Sequence, residues 1–158
     1  MKYIKFLLVN IVVFAVFFFL LSLLFPSKVS TSKTINVAAA QKNIAAKLQN
    51  IFNWKTWNEF VKENNIKPEL VNNYGDSLIT VNLMAADGKK LETVFGIVDS
   101  FADSTALNFQ IIHRAKWYKP WEKFALLLSE KKFGLPMEMS LANFKKEIEA
   151  DTLLNRGN

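Results

Sequence analysis

The single histidine of the chain and the basic, aromatic segment that follows it hold most of its candidate chemistry. His113 is the only histidine among 158 residues, and the basic–aromatic segment, residues 113–123, mixes cations with large rings. A histidine can act as a general acid or base near neutral pH when a partner lies within hydrogen-bond distance. Because the sequence shows no such partner, we expect a satisfied or half-exposed histidine at a strand end, with catalysis as the alternative.

The basic–aromatic segment also has the composition of a membrane interface. Indole and phenol rings favour the headgroup region, where Lys and Arg meet anionic lipid. The candidate interfacial residues are Arg114, Lys116, Trp117, Tyr118 and Lys119. Nucleic-acid bases could stack on the same rings, but acidic residues are spread through the chain and we expect no nucleic-acid partner. The alternative is a solvated loop in which Trp121 begins the apolar stripe of the last helix.

Composition excludes several classes of catalytic and metal site. The chain has no cysteine, which removes disulfides, thiol nucleophiles and cysteine-ligated metals. One histidine cannot supply a site that needs two. The aspartates at positions 76, 87, 99 and 103 fall in predicted turns, and the five glycines are scattered rather than grouped in a phosphate-binding loop. We therefore expect no metal and no cofactor.

An uncharged apolar stretch occupies residues 6–25, with Asn10 and Ser22 as its only polar residues. As a helix it would extend about 30 Å, the thickness of the hydrocarbon core of a bilayer. A cleavable signal peptide has a shorter apolar stretch, about 7–15 residues, followed by small residues. Phe25 and Pro26 stand in that place here. We interpret residues 1–25 as an uncleaved membrane anchor, with a cleaved signal peptide as the alternative.

The flanking charges bear on orientation. Lys2 and Lys5 favour a cytoplasmic N-terminus, whereas Lys28 and Lys33 act in the opposite sense. Because a folded domain can be translocated despite flanking charge, we expect the domain outside the cytoplasm, with a cytoplasmic domain as the alternative.

The remaining residues predict an α+β domain. Alternating β-branched residues predict a strand at 28–37, and the period then changes to that of a helix. A second short helix is predicted at 54–64, and residues 68–76 are interpreted as a polar connector. Three further strands are predicted to form an antiparallel meander: 78–84, 90–98 and 105–113. The hairpin turn between the first two of these is predicted at Asp87-Gly88.

The last part of the chain predicts a long helix. Pro120 suits a first helical turn, and an apolar stripe continues from there until Gly134 and Pro136 interrupt it. We expect one long C-terminal helix with a kink, or two helices in line. An antiparallel sheet must bury one face against helices, which completes the α+β architecture.

Several pieces of the sequence resemble the SRPBCC superfamily, which includes START-like lipid carriers, polyketide cyclase-like proteins and the major birch pollen allergen. Residues 26–29 and 32–39 resemble the opening strand of that family. Residues 53–57 are similar to its Asn-Trp-x-x-Trp motif after the first helix, and residues 141–146 to its closing helix. A single N-terminal membrane helix directly before the Pro26-Ser27-Lys28 stretch also occurs in bacterial members, so the resemblance implies a single-pass protein of the bacterial inner membrane.

The resemblance implies a helix-grip fold, in which a curved antiparallel sheet wraps a long C-terminal helix around a hydrophobic pocket. The residues that would line this pocket are Trp57, Phe95, Phe109, His113, Phe124, Met137 and Phe144. Only three strands are predicted between the second short helix and the closing helix, where the family usually has more. The sheet is therefore expected to be shortened, and the pocket to be small, open on one side or absent. Without the resemblance, these side chains would be interpreted as core packing.

Taken together, the sequence predicts an anchor at residues 1–25 and a helix-grip domain at 26–158. The family has no universal catalytic residues, so the resemblance favours a non-catalytic domain that binds a hydrophobic small molecule or lipid beside the bilayer. Two alternatives remain. One is a protein-interaction module whose core is filled by its own side chains, and the other is a cyclase- or hydrolase-like enzyme that uses His113 with an acid.

Overall fold

The structure is a computed structural model that describes residues 2–63, 66–85, 88, 90–99 and 104–156. The predicted turn residues Asp87 and 100–103 lie outside the described residues. The helices are α1 Lys2–Leu23, α2 Gln41–Gln49, α3 Trp54–Trp57, α4 Glu59–Glu63, α5 Pro120–Leu126 and α6 Ser129–Arg156, with a 3-10 turn at Ile51–Asn53. The strands are β1 Lys28–Val37, β2 Lys67–Tyr74, β3 Leu78–Met84, β4 Lys90–Asp99 and β5 Thr105–Arg114.

The strands form one antiparallel sheet in the order β1-β5-β4-β3-β2. The predicted meander is confirmed as β3, β4 and β5, and β1 closes the sheet beside β5, with Val29 opposite His113. This order places the first and last strands side by side. The end of β5 therefore lies next to the point where the chain leaves α1.

The polar connector predicted at 68–76 is wrong, because most of this segment is β2. Its side chains are largely exposed, and its pairing with β3 shifts register between Leu70 and Asn72. An exposed edge strand with a bulge needs no apolar alternation, and an edge position tolerates Pro68. The region between α4 and α5 therefore contains four strands rather than the three predicted.

The C-terminal helical region is divided at a different place from the one predicted. The short α5 ends at Leu126, and α6 then continues from Ser129 through Gly134 and Pro136 without a break. A proline inside a helix removes one backbone hydrogen bond. Here α6 packs along the sheet, above all against β1, and the burial of its apolar stripe outweighs that loss.

The core lies between the inner face of the sheet and the helices α2, α3, α4 and α6. Its largest fully buried side chains are aromatic: Trp54, Trp57, Phe95, Phe109 and Phe144. These elements give a helix-grip arrangement, an antiparallel sheet gripping a long C-terminal helix, as the sequence predicts.

The first helix stands apart from this core. It is long and apolar enough to cross a membrane between Tyr3 and Leu23, and almost none of that stretch is buried within the protein. By length and composition alone, such a helix could be either a membrane span or a signal sequence.

Candidate functional site

A groove of about 440 Å³ lies between the start of β4, the end of β5 and α5; we call it the α5 groove. Its volume is within the range of about 300–1,000 Å³ that is typical of small-molecule sites. Apolar walls come from Leu91, Ile112, Ala125 and Leu126. Charged and polar groups are also part of the lining: Lys90, His113, Arg114, Lys116 and Glu122.

His113 sits in this lining as a buried side chain. It is only 8% exposed, and its ring stacks on Phe133 with centroids 4.5 Å apart. Its Nε2 atom is buried and has no hydrogen-bond partner in the described part of the chain. The prediction of a satisfied or half-exposed histidine is therefore wrong, because the packing of α6 against the end of β5 covers the ring.

The surroundings of His113 favour the neutral form of its ring. Burial lowers the pKa of His113 below its usual value, and the positive charge of Lys132 lowers it further. No carboxylate among the described residues is hydrogen bonded or ion paired with the ring. The acid partner that general acid–base catalysis by His113 would require is therefore not in place there.

Two of the four charged residues in the lining are neutralised by neighbours. The Arg114 guanidinium donates to Glu92, with Nη2 3.0 Å from Oε2. Glu122 accepts a hydrogen bond from Lys119 Nζ at 2.8 Å and another from the backbone N–H of Lys116 at 3.1 Å. These two hydrogen bonds hold the pKa of Glu122 below its usual value, and the bond from Lys119 has the larger effect.

The other two charges of the lining form no ion pair. Neither Lys90 nor Lys116 is within salt-bridge distance of a carboxylate among the described residues, although the positive charge of Lys116 helps to lower the pKa of Glu122. The ammonium of Lys116 lies 5.9 Å from the centre of the Tyr118 ring, within the range of a cation–π contact. The α5 groove is therefore positive at its rim and apolar along its walls.

The helix α5 joins this groove to the end of α1. The ring of Phe124 makes edge contacts with Phe18 and Phe25, with centroids 6.4 and 5.2 Å apart. Lys123, only 4% exposed, donates from Nζ to the carbonyl of Ser22 at 3.0 Å. This lysine was missed by the sequence analysis, although a lone cation between Trp121 and Phe124 in an apolar stripe was a visible signal.

Large apolar side chains around α5 are exposed. Trp117 and Trp121 are each 65% exposed, so the prediction that Trp121 begins the core stripe is wrong. The other exposed large side chains here are Tyr118, Leu127, Leu128 and Leu135. Of the predicted interfacial residues, Lys116, Trp117 and Tyr118 project into solvent beside α5, whereas Arg114 and Lys119 are engaged in ion pairs.

The predicted pocket residues separate into three groups. Trp57, Phe95, Phe109 and Phe144 contact one another, with ring centroids between 4.6 and 6.3 Å apart, and Met137 is buried in the same cluster. Phe124 lies apart from them, against α1. His113 lines the α5 groove. The structure therefore brings five of the seven into a packed core and places His113, stacked on Phe133, in the lining of the α5 groove.

The described residues contain no group of three or more His, Asp or Glu side chains that could hold a metal ion. Polar donors elsewhere in the core are also without partners: Trp57 Nε1 and Asn58 Nδ2 are buried with no acceptor in the part of the chain described. Neither is part of the lining of the α5 groove.

Comparison by sequence finds no matching family model and no matching curated protein. Comparison by structure finds many similar folds. A START superfamily protein from Mycobacterium smegmatis is 18% identical with a TM-score of 0.53, over 77% of this chain and 97% of that one. CalU16 from Micromonospora echinospora is 13% identical with a TM-score of 0.54, over 77% and 75% of the two chains.

A third similar structure is the di-domain aromatase/cyclase StfQ from the steffimycin biosynthetic pathway. It is 9% identical with a TM-score of 0.55, over 79% of this chain and 52% of that one. At these identities the similarity concerns the fold. The chain thus has a START-like fold, which confirms the fold that the resemblance of the sequence implies.

Proposed function

We propose that this protein is a membrane-anchored START-like domain that binds a hydrophobic small molecule or lipid without catalysing a reaction. Residues 1–25 are the anchor and residues 26–158 the binding domain. The observation that carries the proposal is the α5 groove: its apolar walls include α5, and α5 packs directly on the end of α1.

Burial of the ligand's own apolar surface would provide the affinity. Removing apolar surface from water contributes about 25 cal/mol per Å², and the walls formed by Leu91, Ile112 and Leu126 offer such a surface. The exposed tryptophans of the basic–aromatic segment suit the headgroup region beside the anchor. Their position next to the end of α1 supports a binding site held at the surface of the bilayer.

We propose that the protein remains in the bacterial inner membrane with its domain outside the cytoplasm. The chain contains no cysteine, so Phe52→Cys, at an exposed position, introduces a single label site. A membrane-impermeant maleimide should label this variant at full length on intact spheroplasts. Labelling only after lysis would assign the domain to the cytoplasm, and a mature chain lacking residues 1–25 would show a cleaved signal peptide.

The binding proposal is tested by filling the groove. Ala125 is exposed on α5 and lines the groove, whereas Ala142 is exposed on α6 outside it. The full chain, purified in a mild neutral detergent, should carry an apolar molecule that native mass spectrometry and solvent extraction identify. Ala125→Trp should remove it and Ala142→Trp should retain it. An empty wild-type protein, or equal loading of both variants, would contradict the proposal.

A protein-interaction module is the second candidate, and the packed aromatic core favours it. Trp57, Phe95, Phe109 and Phe144 already fill their part of the sheet–helix interface. In that case the α5 face would bind a protein rather than a lipid. The enzyme alternative is supported by the name of the structural neighbour StfQ, an aromatase/cyclase, but His113 has no carboxylate partner among the described residues.

A further inference from the structure

We infer that the α5 groove selects an anionic amphiphile, an acyl chain that ends in a carboxylate or phosphate. This inference rests on the proposed function and narrows it to a ligand class. The groove is bounded by α5 and the ends of β4 and β5, apart from the aromatic cluster between the sheet and α6.

The arrangement of charge along the groove supports an anion. With Arg114 paired to Glu92 and Glu122 held by Lys119, Lys90 and Lys116 are the two cations of the described lining that form no ion pair. Ionised hydrogen bonds from lysine to carboxylate or phosphate are about twice as strong as neutral ones. Both lysines are exposed to water, and an anionic ligand gains these hydrogen bonds whereas a neutral ligand does not.

The apolar walls of the groove favour a ligand that also has a hydrocarbon part. Leu91, Ile112 and Leu126 offer no hydrogen bonds from their side chains, so an inorganic anion would leave this surface in contact with water. An acyl chain covers it and gains about 0.8 kcal/mol per buried methylene. The groove therefore suits a molecule with a negative end and a hydrocarbon end.

His113 belongs to the same lining, but its unpaired nitrogen is enclosed by the protein. The residue is only 8% exposed, and its Nε2 is buried and has no partner in the described part of the chain. The selection for an anion therefore rests on the two lysines and not on His113.

The groove is also placed where such molecules are available. The backbone N–H of Ala115, in the lining, donates to the carbonyl of Ser27 at 2.9 Å, immediately after the chain leaves α1. A lipid at the bilayer surface could therefore reach the groove without crossing water. Both a phospholipid and a free fatty acid have the required chemistry, and the experiment below distinguishes them.

The test uses the full chain in a neutral detergent and four probes followed by native mass spectrometry. Laurate and lauroyl-lysophosphatidate are acyl chains with a carboxylate or a phosphate, monolaurin has an uncharged headgroup, and inorganic phosphate has no chain. We expect one molecule of laurate or lysophosphatidate per protein, at least about tenfold weaker binding of monolaurin, and no binding of phosphate. Whichever anionic probe binds more tightly shows whether the ligand is a free fatty acid or a phospholipid.

A matched pair of variants tests the lysines. Lys90→Gln combined with Lys116→Gln should weaken the binding of the anionic probes about tenfold or more and leave monolaurin unchanged. Lys42→Gln combined with Lys131→Gln, at exposed positions outside the groove, should leave all affinities unchanged.

The outcomes distinguish failure of the inferred anion selectivity from failure of the proposed function. Equal binding of monolaurin and laurate, or no effect of the Lys90 and Lys116 changes, would overturn selection for an anion while the proposed apolar site survives. Binding of phosphate as tight as that of laurate would overturn the requirement for an acyl chain. Absence of binding by laurate, lysophosphatidate and monolaurin alike would overturn both the inference and the proposed function.

Discussion

The contact of α5 with α1 and with the residues that follow α1 should depend on the ring of Phe124. This ring makes edge contacts with Phe18 and Phe25, and Phe124→Ala removes both. Each aromatic pair of this kind contributes about 0.5–1.5 kcal/mol beyond burial of its surface. The variant should therefore destabilise the docked arrangement by about 1–3 kcal/mol. That change lowers the docking equilibrium constant by a factor of about 5 to 150.

Distances between two spin labels measure this docking. Because the chain has no cysteine, labels at Val16→Cys on α1 and Ala142→Cys on α6 are the only ones present, and both positions are exposed. The otherwise unchanged protein in nanodiscs should give one narrow distance distribution. Phe124→Ala should broaden it, while the circular dichroism of the domain stays the same.

The matched control is Trp117→Ala, which removes a ring whose aromatic partner is Tyr118 and not a residue of α1. It should leave the distance distribution narrow. If Phe124→Ala also leaves it narrow, the aromatic contacts do not hold α1 against α5. The groove would then not be held at the bilayer surface by these contacts.

Three further predictions concern the folded domain, each measured by denaturant unfolding of the full chain in detergent. The lowered pKa of His113 means that the folded state binds fewer protons than the unfolded state, in which the pKa is near 6.5. The free energy of unfolding should therefore be constant above that pH and fall as the pH drops from about 6.5 to about 5.5. His113→Phe should abolish this fall, and an equal fall in both proteins would refute the cause. The Asn58 side chain accepts hydrogen bonds from two backbone N–H groups at the start of α4, so Asn58→Ala should lower the free energy of unfolding by about 1 kcal/mol. Asn53→Ala removes no cap bond and should lower it by less than about 0.5 kcal/mol. Equal losses in the two variants would count against the cap. Phe144→Ala should lower the free energy of unfolding by about 3–5 kcal/mol, because the ring is fully buried against Trp57. Met139→Ala, on the exposed side of α6, should change it by about 0.5 kcal/mol or less. A similar change in both variants would contradict the packed core.

Much of the sheet could be predicted because its central strands have a regular apolar alternation. The predicted bounds 28–37 and 78–84 match β1 and β3, and those of the next two strands differ by one residue at their C-terminal ends. The edge strand β2 was not predictable by the same rule. Both of its faces are largely exposed. Apolar and polar residues therefore do not alternate along it with the period of two that marks a half-buried strand.

The α5 groove depends on contacts that the sequence does not encode locally. His113 was recognisable as a strand residue facing the core, but its burial requires Phe133 from the following helix. The break between α5 and α6 follows Leu126 rather than the glycine and proline further on. It is this break that allows α5 to turn towards α1 while α6 stays on the sheet, and only tertiary packing determines it.

Photo-crosslinking in native membranes tests the central claim most directly. Benzoylphenylalanine in place of Leu126, in the groove wall, can react with whatever occupies the groove, and the same residue in place of the 89% exposed Phe52 is the control. We predict an adduct of lipid mass, with an acyl chain and an acidic group, at position 126 and not at position 52. A protein adduct at position 126, no adduct there, or equal lipid labelling at both positions would contradict a lipid-binding groove.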